Sequence, residues 1–104
     1  MRPEDVQDNK EGQRFELHIG SETAFIQYQA MHGVLVLTHT EVPATLEGMG
    51  VGSALAEGSL RLLADRGLEV IPICPFVHEY IQQHPVHADL VSAKYKRRGD
   101  LTAE

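Results

Sequence analysis

The sequence predicts a mixed α/β domain: an antiparallel three-strand meander, a crossover helix, a parallel fourth strand that separates from the third, and C-terminal helices. Three observations predict it. Short apolar runs alternate between residues 15 and 40, the apolar spacing becomes helical from 51 to 66, and a second strand-like run follows at 68–74.

Taken in order, residues 1–13 ("MRPEDVQDNKEGQ") are polar, lack periodicity and read as a flexible leader. "FELHI" (15–19) puts Phe15, Leu17 and Ile19 on one face and Glu16 and His18 on the other, a half-buried strand. "AFIQYQA" (24–30) is a second strand, and "MHG" (31–33) is short enough for a hairpin turn. "VLVLTHT" (34–40) starts apolar on both faces, as a covered central strand does. Pro43 stops it. From Val51 to Arg66 a helical stripe runs through Val51, Leu55, Gly58 and Leu62, widened by Ala54 and Leu63. Gly58 costs about 1 kcal/mol against alanine there, and close packing of the helix on the sheet is the expected compensation. Gly67 reads as the helix C-terminal cap. "LEVIPIC" (68–74) is the fourth strand, parallel to the third across a helical crossover. Pro72 inside it marks an edge, a bulge or a separation of strands. Short helices are expected at 76–84 and 86–95, giving one domain over 14–95 and a polar tail over 96–104.

The 104 residues suit one modest core, and 42% hydrophobic with 23% charged residues is ordinary for a globular protein. No apolar run approaches the ~20 residues of a membrane span, and no basic-then-apolar segment opens the chain. With the single cysteine, Cys74, unable to form an internal disulfide, the expected home is the cytoplasm. A net charge of -6 argues against nucleic acid or anionic membrane as a partner. The one basic cluster, Lys94, Lys96, Arg97 and Arg98, reads as a solvated tail or as a local phosphate anchor.

The stretch "EGMGVGSAL" sets Gly48, Gly50 and Gly52 directly before the long helix. A helix start carries unpaired N–H groups and a partial positive charge, and residues without Cβ let an anion reach them. The loop therefore reads as a seat for a phosphate or pyrophosphate on main-chain donors. A P-loop is excluded because no lysine follows Gly52, and a dinucleotide fingerprint is excluded because Leu55 stands where a third glycine belongs.

In order, "HTEVP", "EGMGVGSAL", an amphipathic helix, "PICP" and "IQQHP" resemble the GNAT superfamily of acetyltransferases, in particular its compact YjdJ-type branch, over about residues 15–92. The resemblance implies that the loop binds the pyrophosphate of acetyl-CoA through the backbone of Val42, Gly48, Met49, Gly50, Val51, Gly52 and Ser53. It implies that coenzyme A is a co-substrate, that no metal is needed, and that the thioester lies where the third and fourth strands splay apart. The superfamily pattern Gln/Arg-x-x-Gly-x-Gly/Ala is broken by Glu47 at its first position, so no ligand contact is assigned to that side chain. The chain lacks the superfamily's usual first helices, so the acceptor site is expected to be shallow or completed by a partner. A monomer or weak homo-oligomer is the expected state.

Acetyl transfer to an amine needs a base, a polarised carbonyl and a proton for the leaving thiolate, or an enzyme nucleophile that takes the acetyl group first. Cys74 ends the fourth strand before a helix start, which favours the thiolate. The resemblance makes it an acetyl acceptor, and a buried structural cysteine is the alternative. Glu41 and His39 share one face at the end of the third strand, either one placed to deprotonate an amine, with Glu41 nearer the loop. Tyr80 falls on the helix where superfamily members carry a proton-donating tyrosine. Two other readings compete. Cys74, His78, His84 and His87 supply enough metal ligands, although their spacing is not that of structural zinc. A non-catalytic module binding CoA or acetyl-CoA would use the same loop.

Overall fold

The structure is a computed structural model and describes residues 1–93. The polar tail, the basic cluster and the end of the helix expected at 86–95 lie outside the described residues. Five strands form one sheet in the order β1 to β5: β1 Gln7–Asn9, β2 Arg14–Ile19, β3 Glu22–Met31, β4 Val34–Glu41 and β5 Glu69–Pro72. β1 to β4 pair antiparallel and β5 pairs parallel to β4. The helices are α1, Val51–Asp65, and α2, Pro75–Gln83. No helix among the described residues is long and apolar enough to cross a membrane.

The mixed α/β architecture follows the apolar periodicity. Alternation buries Phe15 and Leu17 on β2 and Ala24, Ile26 and Tyr28 on β3, while Leu35 and Leu37 join them from β4. Against this face α1 sets Val51, Leu55, Leu60 and Leu63, all essentially fully buried. The helix ends as Gly67 takes φ +68 and Leu68 N–H donates to the Leu63 carbonyl at 3.0 Å, a glycine-capped terminus. Between β3 and β4 the two-residue His32–Gly33 turn has Gly33 at φ +71, a conformation glycine adopts without penalty.

Three expectations change. Residues 1–13 are not a structureless leader: Pro3–Asp5 forms a 3-10 turn and Gln7–Asn9 the edge strand β1. Val6 is buried in the core, Tyr28 Oη–H donates to Asp8 at 2.6 Å, and Arg66 contacts the other Asp8 oxygen at 2.5 Å. Gly58 accordingly faces this N-terminal segment rather than the sheet. A Cβ at Gly58 would collide with the Pro3 carbonyl oxygen and with a Val6 methyl. The helix expected from 86 is a 3-10 turn, Pro85–Leu90, because the chain then leaves helical geometry to set Val91 in a parallel bridge beside Val70.

A register shift in β4 decides which side chains its C-terminal end presents to each face. Gln27 faces His39 but Tyr28 faces Leu37, so Thr38 is an extra residue, a β-bulge. Past it the alternation inverts. Thr40 pairs with the core residue Ile26 and shares its face, while His39 and Glu41 pair with Gln27 and Phe25 on the other.

Candidate functional site

β4 and β5 part where the sequence places Pro72. Their last pair is Leu37 with Pro72, and the last bond between them is from the Cys74 N–H to the Leu37 carbonyl at 2.9 Å. Pro72 has no N–H to give the ladder, and past Cys74 no further main-chain bond joins the two strands among the described residues, while β4 runs on to Glu41. At the unpaired end of β4 lies an open cleft of about 590 Å³, walled by His39, Thr40, Glu41 and Val42 on one side and the Leu46–Ser53 turn on the other. That volume suits a small-molecule ligand.

The floor of the cleft is the start of α1. Gly48 and Gly50 hold φ +82 and +78, left-handed backbone that other residues adopt only with strain. A Cβ at either would meet nothing within 4 Å, so the space above the turn is open. Gly50 is the N-terminal cap and supplies no side-chain hydrogen bond. The amides of Val51, Gly52 and Ser53 therefore leave the helix without a protein acceptor among the described residues. Such a row of N–H groups suits an anion. Gly52 serves a side chain instead. A Cβ there would stand 2.8 Å from Cζ of Phe76, so its absence makes room for that ring at the rim. Met49 points away, 55% exposed, and its amide donates to the Leu46 carbonyl at 3.4 Å. Glu47 lines the cleft, as do Val42, Gly48, Gly50, Val51, Gly52 and Ser53, whereas Met49 does not.

His39 Nε2 lies 3.0 Å from Glu41 Oε1, and both side chains are exposed to the cleft. The edge of Phe25 meets the His39 ring at 6.4 Å between centroids, and the Arg14 guanidinium stands 4.3 Å over the Phe25 ring. Cys74 is the N-terminal cap of α2 and only 3% exposed, so its sulfur does not line the cleft. Thr40 does, and its Oγ1 is 3.0 Å from Cys74 Sγ.

Tyr80 is engaged elsewhere. Its hydroxyl donates to Glu57 on α1 at 2.7 Å, and the same Glu57 oxygen accepts from His87 Nε2 at 2.7 Å, while the other accepts from Arg61 at 2.8 Å. The His84 ring stacks on Tyr80 at 4.0 Å between centroids. Burial pushes the Glu57 carboxyl up, but the three hydrogen bonds from Tyr80, His87 and Arg61 outweigh it and hold it at about 2. Burial, with the hydrogen bond to Glu57, pushes the Tyr80 phenol up to about 12. This clasp joins α1, α2 and the 3-10 turn after it. It also settles the partners of His84 and His87, and no cluster of three or more metal-capable side chains occurs among the described residues.

Sequence reasoning missed Thr40, Phe76 and Glu57. Glu57 reads as a helix-surface carboxylate, because its partners lie 23 and 30 positions along the chain. The only local signal for Thr40 is its place between His39 and Glu41.

An uncapped helix start at an open cleft beside the last β4–β5 pair has the form of a site that holds a ligand on main-chain amides. A family model described as GCN5-related N-acetyl-transferase matches residues 14–90, and the chain belongs to that family. A comparison with curated proteins finds no match.

Proposed function

We propose that the protein is a cytoplasmic acetyl-CoA-dependent N-acetyltransferase of the compact YjdJ-type branch, a reading also carried by its "HTEVP", "EGMGVGSAL", "PICP" and "IQQHP" segments. The observation that carries it is the cleft: outward amides at Val51, Gly52 and Ser53 on one side, and the His39–Glu41 pair on the other. The diphosphate of coenzyme A takes the amides, where left-handed Gly48 and Gly50 leave the approach clear. The pantetheine arm then runs toward the unpaired end of β4 and brings the thioester near Glu41, Thr40 and Cys74.

In this reading Glu41, hydrogen-bonded to His39, takes the proton from the amine acceptor, directly or through water. Cys74 is the enzyme nucleophile of the two-step route, receiving the acetyl group before the amine does. Glu47 lines the cleft, so binding of the diphosphate requires its side chain to swing outward, since two anions side by side repel. Support for the reading comes from the family to which the chain belongs and from the fit of the amide row to an anion.

Titration with acetyl-CoA tests it, with calorimetry and backbone amide shifts as the readouts. Binding with shifts concentrated at Val42 and residues 48–53 is expected, followed by a gain of one acetyl group on Cys74 or release of CoA when an amine is supplied. No binding at millimolar acetyl-CoA overturns the proposal. Binding without acetyl transfer to any amine or to Cys74 reduces it to a CoA-binding module.

A further inference from the structure

We propose that Thr40 is the positioning residue for the Cys74 thiol, an inference that rests on the reading of the cleft as the acetyl-CoA site. Cys74 is fixed through its backbone, by its N–H on the Leu37 carbonyl and by its carbonyl accepting from the His78 N–H at 3.0 Å. Its sulfur is buried and stops short of the cleft. The contact that links it to the cleft is Thr40 Oγ1 at 3.0 Å, on a side chain that itself lines the wall.

That contact exists because of the bulge at Thr38. Without the extra residue, alternation from Leu35 and Leu37 would put residue 39 on the core face and turn residue 40 away. With it, Thr40 shares the face of buried Ile26 and meets the end of β5, while His39 and Glu41 take the opposite face. The neighbours of Thr40 thus divide into a sulfur on one side and a carboxylate–imidazole pair on the other.

A threonine hydroxyl donates one hydrogen bond and accepts others. With a thiol it can do either. Once the sulfur is a thiolate it only accepts, so Thr40 must donate. A hydrogen bond to a charged group is worth more than one to a neutral group, so the contact favours the reactive form and aims it along the Thr40 side of the cleft. In the transfer step the Cys74 sulfur forms a bond to the acetyl carbon, and the carbon–sulfur bond to coenzyme A breaks. The electron pair leaves on the coenzyme A sulfur. The Cys74 proton has already gone to water as the thiolate forms, and the departing coenzyme A sulfur takes a proton from water, while the Thr40 hydroxyl holds the attacking sulfur in place. One proton is lost by one sulfur and gained by the other.

Three proteins test this: wild type, Thr40→Val and Thr40→Ser. Valine keeps the volume and removes the hydroxyl, while serine keeps the hydroxyl. Cys74 is the single cysteine, so intact mass after timed iodoacetamide treatment reads its reactivity without ambiguity. At one fixed pH, Thr40→Val is expected to alkylate about tenfold slower than wild type, with Thr40→Ser within about twofold of it. Alkylation of Thr40→Val at the wild-type rate overturns the inference, as does a Thr40→Ser protein as slow as the valine variant. Acetyl-CoA calorimetry on the same proteins separates this result from the parent proposal. Equal affinities alongside a slowed thiol support a positioning role. Should none of the three bind, the transferase reading fails while the alkylation rates still decide what Thr40 does to Cys74.

Discussion

Two regions of α1 treat polar groups in opposite ways. Midway along it, one carboxylate, Glu57, meets three donors, from Tyr80, His87 and Arg61, and both of its oxygens are engaged within the protein. At its start, three donors, the amides of Val51, Gly52 and Ser53, meet no protein acceptor among the described residues. Buried polar groups cost free energy when unpaired, so a satisfied cluster stabilises the fold and an unsatisfied row at an open cleft is a place for a ligand. On the proposed reading, the clasp serves stability and the loop serves binding.

Removing the acceptor should separate the two regions most clearly. Glu57→Ala leaves Tyr80 and His87 with unpaired donors and is expected to cost about 3 kcal/mol in urea unfolding, with acetyl-CoA affinity unchanged in the folded protein. Loss of affinity at intact stability would mean that the clasp belongs to the site. The pH dependence carries the same signature. Glu57 has its folded value held at about 2, below its ordinary 4.5, so its contribution is complete above about pH 4.5 and is lost as pH falls toward 2. Glu16 adds in the same direction, since hydrogen bonds from Asn9, Arg14 and His18 hold its carboxyl down against the effect of burial. The melting temperature of wild type should therefore fall steeply between pH 4.5 and pH 2. In Glu57→Ala the fall should be shallower.

At the helix start the prediction is smaller in stability and larger in binding. Gly50→Ala forces an L side chain to φ +78, which costs about 1.5 kcal/mol. Relief of that strain reorients the turn, and acetyl-CoA affinity measured by calorimetry should weaken about tenfold. Unchanged affinity would separate the amide row from ligand binding.

What the sequence made legible depends on locality. Periodicity located β2 to β5 and α1 within a few residues, because each has its own apolar pattern and its own stop, Gly33, Pro43 or Gly67. The glycine loop was legible for the same reason, although only Gly48 and Gly50 serve the backbone and Gly52 serves Phe76. Features that rely on partners far along the chain were not. β1 has three polar residues and no pattern, and is held by Asp8 reaching Tyr28 and Arg66. The partner of Gly58 is Pro3, and the bulge at Thr38 leaves no mark in composition. That bulge decides which of His39, Thr40 and Glu41 meets Cys74.

Tyr80 is the finest test, because the family resemblance implies a catalytic proton for it while its observed contacts commit that proton to Glu57. Its hydroxyl proton is committed to Glu57 at 2.7 Å, its ring is stacked on His84, and its phenol is pushed up to about 12, so it holds the proton firmly. A donor serving a leaving thiolate must instead face the cleft, whose wall does not include Tyr80. Tyr80→Phe keeps the ring, and Glu57 retains His87 and Arg61 as donors. The expected loss is about 1 kcal/mol of stability, the worth of one hydrogen bond, with kcat within about twofold of wild type. A hundredfold fall in kcat at unchanged KM would mean that the clasp opens during turnover, and that the group binding the helices together also delivers the proton.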